Sequence, residues 1–166
     1  MARAVVALII SIALLLSGCR PAPAEGRAPD FSLPDLAGSQ VSLRRMLRDG
    51  PVLVNFWASW CPPCKRKLPE LEELHREFAD QGLTIAGINL DGDPGDARAF
   101  LAAQPVSFPI LFDARGTVAA TFEVRGIPAS VLVGRDGVIL LRVVGHSAAG
   151  MSQLRRAIRD ALEAGR

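Results

Sequence analysis

The stretch N-F-W-A-S-W-C-P-P-C-K-R-K-L-P, residues 55–69, sets Cys61 and Cys64 with two residues between them, after an apolar run and before a charged one. The chain has only 3 cysteines, so two of them are committed here. Such a pair is either half of a metal grip or a redox couple. A structural zinc site needs four ligands, and there is no second cysteine pair to complete it. The chain has 2 histidines, His75 and His146, and neither sits in a ligand motif. Both read as solvated surface groups. A c-type haem would need histidine directly after the second cysteine, where Lys65 stands. No metal is expected, and the redox reading leads.

The flanks place the pair on structure. Pro51 to Trp57 is β-branched and aromatic, a buried strand. From Cys61 to about Gln81 the period changes. Leu68, Leu71, Leu74 and Phe78 recur at helical spacing with glutamates between them, and Gly82 stops the run. Pro69 lies inside this helix and predicts a kink. Cys61 therefore closes a strand-to-helix turn at a helix N-terminus. Unpaired N–H groups and the helix dipole there favour thiolate over thiol. The spacing predicts an exposed Cys61 that attacks a partner disulfide, and Cys64 one turn further in that releases the product. Pro62 and Pro63 stiffen the loop at positions where the missing N–H costs nothing. Lys65, Arg66 and Lys67 read as a solvated basic face.

Further out, Leu83 to Leu90 is a second buried strand, which makes a right-handed βαβ unit with parallel strands. Asp93 and Pro94 start a helix that ends near Gln104. Pro109 to Phe112 is a short strand, and Thr117 to Phe122 one or two helical turns. Ala129–Gly134 and Val138–Val144 flank an Asp-Gly turn, the signature of a hairpin. Met151, Leu154, Ile158 and Leu162 define a last helix with Ser147 as its cap. Upstream, Phe31–Leu36 and Gly38–Leu43 form a small hairpin, and Leu43–Leu47 a short helix. The order predicts an α/β domain, a mixed sheet flanked by helices.

The N-terminus is a separate object. Met1-Ala2-Arg3 is basic, Ala4 to Leu16 is apolar apart from Ser11, and Ser17-Gly18 precede Cys19. That is the pattern of an export signal, and its apolar run is shorter than the roughly 20 residues a spanning helix needs. Leu16-Ser17-Gly18-Cys19 resembles the bacterial lipoprotein processing site, which implies a lipid on the sulfur of Cys19. The cysteine count then closes, one for lipid and two for chemistry outside the reducing cytosol. Arg20 to Pro29 is rich in proline and alanine and reads as a tether. The expected division is a signal peptide over 1–18, a lipidated cysteine and tether over 19–28, and a domain over 29–166.

W-C-P-P-C-K after V-L-V-N-F-W-A-S resembles the thioredoxin superfamily. More narrowly, the chain is similar to its extracytoplasmic TlpA/ResA/DsbE-like branch over about residues 28–163. A-P-D-F-S-L-P-D-L-A-G, Pro69, P-I-L-F-D and R-G-I-P-A-S (Arg125–Ser130) carry the same likeness. The resemblance implies a thioredoxin-like three-layer sandwich with an N-terminal β-hairpin. It implies a cis Ile127–Pro128 bond facing the cysteines, with Ile127 and Pro128 binding an extended substrate chain. It implies a membrane-tethered thiol–disulfide oxidoreductase of the periplasm or outer cell surface, reducing disulfides in proteins such as apocytochrome c. A membrane thiol–disulfide carrier would recharge the pair, and no cofactor beyond that disulfide is expected. Asn55 stands where cytoplasmic thioredoxins keep a buried acid. Asp91 and Asp93 are the candidate proton acceptors for Cys64, with an Asx turn and a helix cap as their structural alternatives. Trp60 is a candidate substrate contact beside Pro62 and Pro63, and Trp57 belongs to the core.

Two other functions stay open on the residues. A peroxiredoxin-like peroxidase shares the outline of the front half, but Ala58 stands where its usual threonine would be. A copper-delivery protein would use Cys61 and Cys64 as soft ligands but lacks a third ligand nearby. The formal net charge of +2, from 19 basic and 17 acidic residues, provides no footprint for nucleic acid. A monomer is expected.

Overall fold

The computed structural model describes residues 25–165. Cys19, its expected lipid and the export signal lie outside them. The elements run β1 (Glu25–Arg27), β2 (Ser32–Pro34), β3 (Gln40–Ser42), α1 (Leu43–Met46), β4 (Val52–Trp57), α2 (Pro62–Phe78), β5 (Thr84–Asn89), α3 (Pro94–Ala103), β6 (Ile110–Phe112), α4 (Thr117–Thr121), β7 (Ala129–Val133), β8 (Val138–Val144) and α5 (Ala148–Ala164). Six strands form one mixed sheet in the order β1-β8-β7-β4-β5-β6. β4, β5 and β6 are parallel, while β7 runs antiparallel to β4 and β8 to β7. β2 and β3 pair as the separate N-terminal hairpin.

Alternation along β4 sorts the core into two layers, because successive side chains point to opposite faces. Leu53 and Trp57 join one cluster with Leu68, Leu71, Leu74 and Phe78 of α2 and Leu154, Ile158 and Leu162 of α5. Val52, Val54 and Phe56 join the other, with Phe31 and Leu33 of the hairpin region, Leu43 and Met46 of α1, and Phe122 after α4. β4 is buried at every position and lies between β5 and β7, so its end is held on both sides. That end delivers the chain to Cys61.

Caps fix the helix starts. Ser147 Oγ accepts from Gly150 N at the start of α5, and Asp113 accepts from Thr117 N and Ala119 N at the start of α4. Gly82, at φ +103°, ends the 3-10 turn that follows α2, as only a residue without Cβ does cheaply.

One element differs from the reading of the sequence. The stretch taken as tether, 19–28, contributes β1, which pairs Glu25 with Ile139 and Arg27 with Val138. Backbone bonds hold it: Ala28 N donates to Gly137 O, and the Arg27 guanidinium to Asp136 O. Such a strand needs no apolar period of its own, because the edge of β8 supplies its partners.

Candidate active site

Cys61 follows β4 through a tight turn in which its N–H donates to Ala58 O at 3.2 Å. It is the N-cap of α2, in extended conformation, and its sulfur accepts from Cys64 N at 3.2 Å. Pro62 and Pro63 occupy the first helical positions. Cys61 and Cys64 are joined as a disulfide. Across from it, the Ile127–Pro128 peptide bond is cis, and the Ile127 carbonyl oxygen lies 3.8 Å from the Cys61 sulfur. A disulfide sulfur has no proton to donate, so this is a van der Waals contact that a reduced thiol could turn into a hydrogen bond.

Cys61 is only 4% exposed and Cys64 1%. The expectation of an exposed Cys61 sulfur is therefore corrected for the oxidised pair. The disulfide turns both sulfurs toward the core cluster, and the Ile127 backbone covers the first. The rim is open instead: Trp60 is 66% exposed, and Pro62 and Gly126 are exposed beside it. A shallow depression of about 280 Å³, lined by Val124, Gly126, Ala129, Arg142 and Val144 among others, continues from the Ile127–Pro128 loop. A larger hollow near Arg44 and Asp136 lies at the far end of β7, away from the sulfurs.

The two candidate acids occupy different settings. Asp91 is 1% exposed. Its carboxylate accepts from Ser59 N, Ser59 Oγ and Asn89 Nδ2 at 2.8–3.2 Å. It thus grips the loop two residues before Cys61. Asp93 is exposed and caps α3, accepting from Gly95 N at 2.8 Å. Asn55 is buried, accepts from Ser130 Oγ at 2.9 Å, and keeps an amide nitrogen without a partner. Trp57 is fully buried in the core.

Three residues read as solvated are not. Lys67 is 1% exposed, and its ammonium donates to Gly145 O at 3.2 Å. Burial pulls its amine down to about 8, against a partial restoring pull from Glu70. His146 is mostly covered, with Nε2 2.6 Å from Glu70 Oε1. His75 is half-buried and meets the Phe108 ring edge-on. The sequence did carry a signal for Lys67. Residues 64, 67, 68 and 71 are one helical stripe, so lysine at 67 had to share the face of Cys64. Lys65 and Arg66 are exposed as expected.

Residues 24–142 match the AhpC/TSA family. The chain belongs to that family. Among curated relatives, it is 37% identical over 116 residues to the thioredoxin-like protein YneN of Bacillus subtilis, covering 68% of this chain and 66% of that one. It is 30% identical over 119 residues to the thiol-disulfide oxidoreductase ResA of Bacillus thuringiensis subsp. konkukian, covering 72% and 68%. Among solved structures, a candidate thiol:disulfide interchange protein DsbE from Chlorobium tepidum superposes with a TM-score of 0.79 at 36% identity, covering 84% of this chain and 97% of that one. Fold, family and cysteine pair agree: this AhpC/TSA member is a thioredoxin-like thiol–disulfide oxidoreductase.

Proposed function

We propose that this chain is a membrane-tethered reductant of protein disulfides outside the cytoplasm, apocytochrome c being one substrate of the right kind. The observation that carries the reading is the disulfide at the N-terminus of α2 facing the Ile127 backbone. In the reduced protein the Cys61 thiolate attacks one sulfur of the substrate disulfide. That S–S bond breaks, a mixed disulfide forms, and the released substrate sulfur takes a proton. The Cys64 sulfur, losing its proton, then attacks Cys61 and expels the second substrate thiolate. Two electrons have moved to the substrate, and the pair is left oxidised. Ile127 and Pro128 align the substrate backbone, while Trp60, Pro62 and Pro63 form the rim it crosses. Asp91 holds the loop that presents Cys61, and we assign the Cys64 proton to it as the buried one of the two acids. Asp93 serves as a helix cap.

The tether rests on Cys19, whose setting after the apolar run supports lipidation and a periplasmic or outer-surface location. Among the described residues no helix is long and apolar enough to cross a membrane. A membrane dithiol carrier returns the pair to the reduced state, and no other cofactor is needed.

The test is turnover of a model protein disulfide. Cys61→Ser abolishes it, and Cys64→Ser accumulates a mixed disulfide that a reductant releases. A Cys61→Ser protein that still reduces the disulfide at the wild-type rate contradicts the assignment. A peroxide assay separates the peroxidase reading, and Cu(I) titration of the reduced protein the copper one.

A further inference from the structure

A buried lysine is costly, and nothing in the thiol exchange described above uses one. Lys67 follows Cys64 by three positions on the buried stripe of α2, where Cβ atoms stand about 5–6 Å apart. Its ammonium donates to Gly145 O at 3.2 Å. Gly145 N in turn donates to Pro128 O at 2.7 Å. Pro128 follows Ile127, whose carbonyl covers the Cys61 sulfur. One side chain therefore links the helix that carries the cysteines to the loop that faces them, and it brings a charge to a place where water does not reach.

We propose that Lys67 is a positioning residue whose ammonium is the internal counter-charge of the reduced cysteine pair. The proposal rests on the redox reading of that pair and adds a group to it. The oxidised pair is neutral and offers the lysine no anion, which agrees with its amine being pulled down to about 8. Reduction creates a thiolate and so strengthens the hold on the proton. Above about pH 8 the step is then balanced as follows. A donor dithiol gives two electrons and two protons. The S–S bond opens to one thiolate and one thiol, one proton goes to that thiol, and the other to the Lys67 amine. The donor leaves as a disulfide.

On α2 the charge that acts on Lys67 is Glu70, and the cysteine pair shares its helical stripe; on the segment between β8 and α5, His146 follows the Gly145 that Lys67 holds and is itself held by Glu70. Residues 126–130 of the facing loop carry no titratable side chain.

The test is the equilibrium of the protein with reduced and oxidised glutathione across pH 6.5–10, for wild type, Lys67→Met, Lys67→Arg and, as a control, His146→Asn. Lys67→Met is expected to shift the equilibrium toward the disulfide by about tenfold at neutral pH, through loss of a buried charge on the stripe that carries Cys64. In wild type, the reduced-to-oxidised ratio should fall by up to an additional tenfold per pH unit above pH 8. Lys67→Met should lack that excess. Lys67→Arg keeps its charge at every pH tested, so it should match wild type at neutral pH and also lack the excess. His146→Asn should retain it. An unchanged constant and slope in Lys67→Met overturn the proposal, as does a Lys67→Arg protein that behaves like Lys67→Met at neutral pH. If wild type does not exchange with glutathione at all, the redox reading itself falls, and this proposal with it.

Discussion

Asp91 shows how one side chain sets up a reactive neighbour without touching it. Its three donors come from Ser59 and Asn89, and Ser59 leads directly into Trp60 and Cys61. Asp91→Ala leaves those donors buried and unpaired, so unfolding free energy should drop by about 2–4 kcal/mol in urea titration. Disulfide turnover should fall as well, because the loop loses its anchor. The cysteines were legible at this scale from their spacing, since a structural zinc site needs four ligands and the chain offers one pair. Lys67 was legible in position but not in fate: its helical phase put it beside Cys64, while lysine as a type is almost never fully buried. The cover over Cys61 was not legible from local pattern, because Ile127 is 66 residues away in the chain.

Elements are joined by buried charge as well as by apolar packing. Glu72 on α2 accepts from Ser107 N at 2.8 Å, Ser107 Oγ at 2.7 Å and Arg76 Nε at 3.0 Å, which pins the segment before β6 to the helix. Burial alone would raise its carboxyl. The Ser107 N–H and O–H and the Arg76 guanidinium outweigh that and hold it below the usual carboxylate value. The folded value is thus depressed relative to the unfolded one near 4.3. The stabilisation is present above that value and lost as pH falls through the folded one. Glu72→Gln should therefore be less stable than wild type at neutral pH, and the gap should close in acid, read as urea midpoints from about pH 7 to about pH 3. The strands, the hairpins and the helices α2, α3 and α5 followed from periodicity, caps and the Asp136-Gly137 turn. β1 did not, because E-G-R has neither period nor propensity and owes its form to the edge of β8.

At the scale of the whole molecule, the sheet order converts distant sequence into one site. β4 ends at Trp57, β7 begins at Ala129 and β8 ends at Val144, and register pairs Phe56 with Ala129 and Ala129 with Val144. The turn before Cys61, the Ile127–Pro128 loop and the Gly145 carbonyl under Lys67 therefore meet at one end of the sheet. The two core layers hold that end rigid from both faces. The oxidised site is closed over its sulfurs, so the reactivity of the reduced pair is the property to measure. The direct measurement is alkylation of the fully reduced wild-type domain at neutral pH, with the modified residue identified by mass. One fast modification at Cys61, well ahead of Cys64, is the predicted result. Both thiols inert in the folded protein, or Cys64 reacting first, would contradict the account.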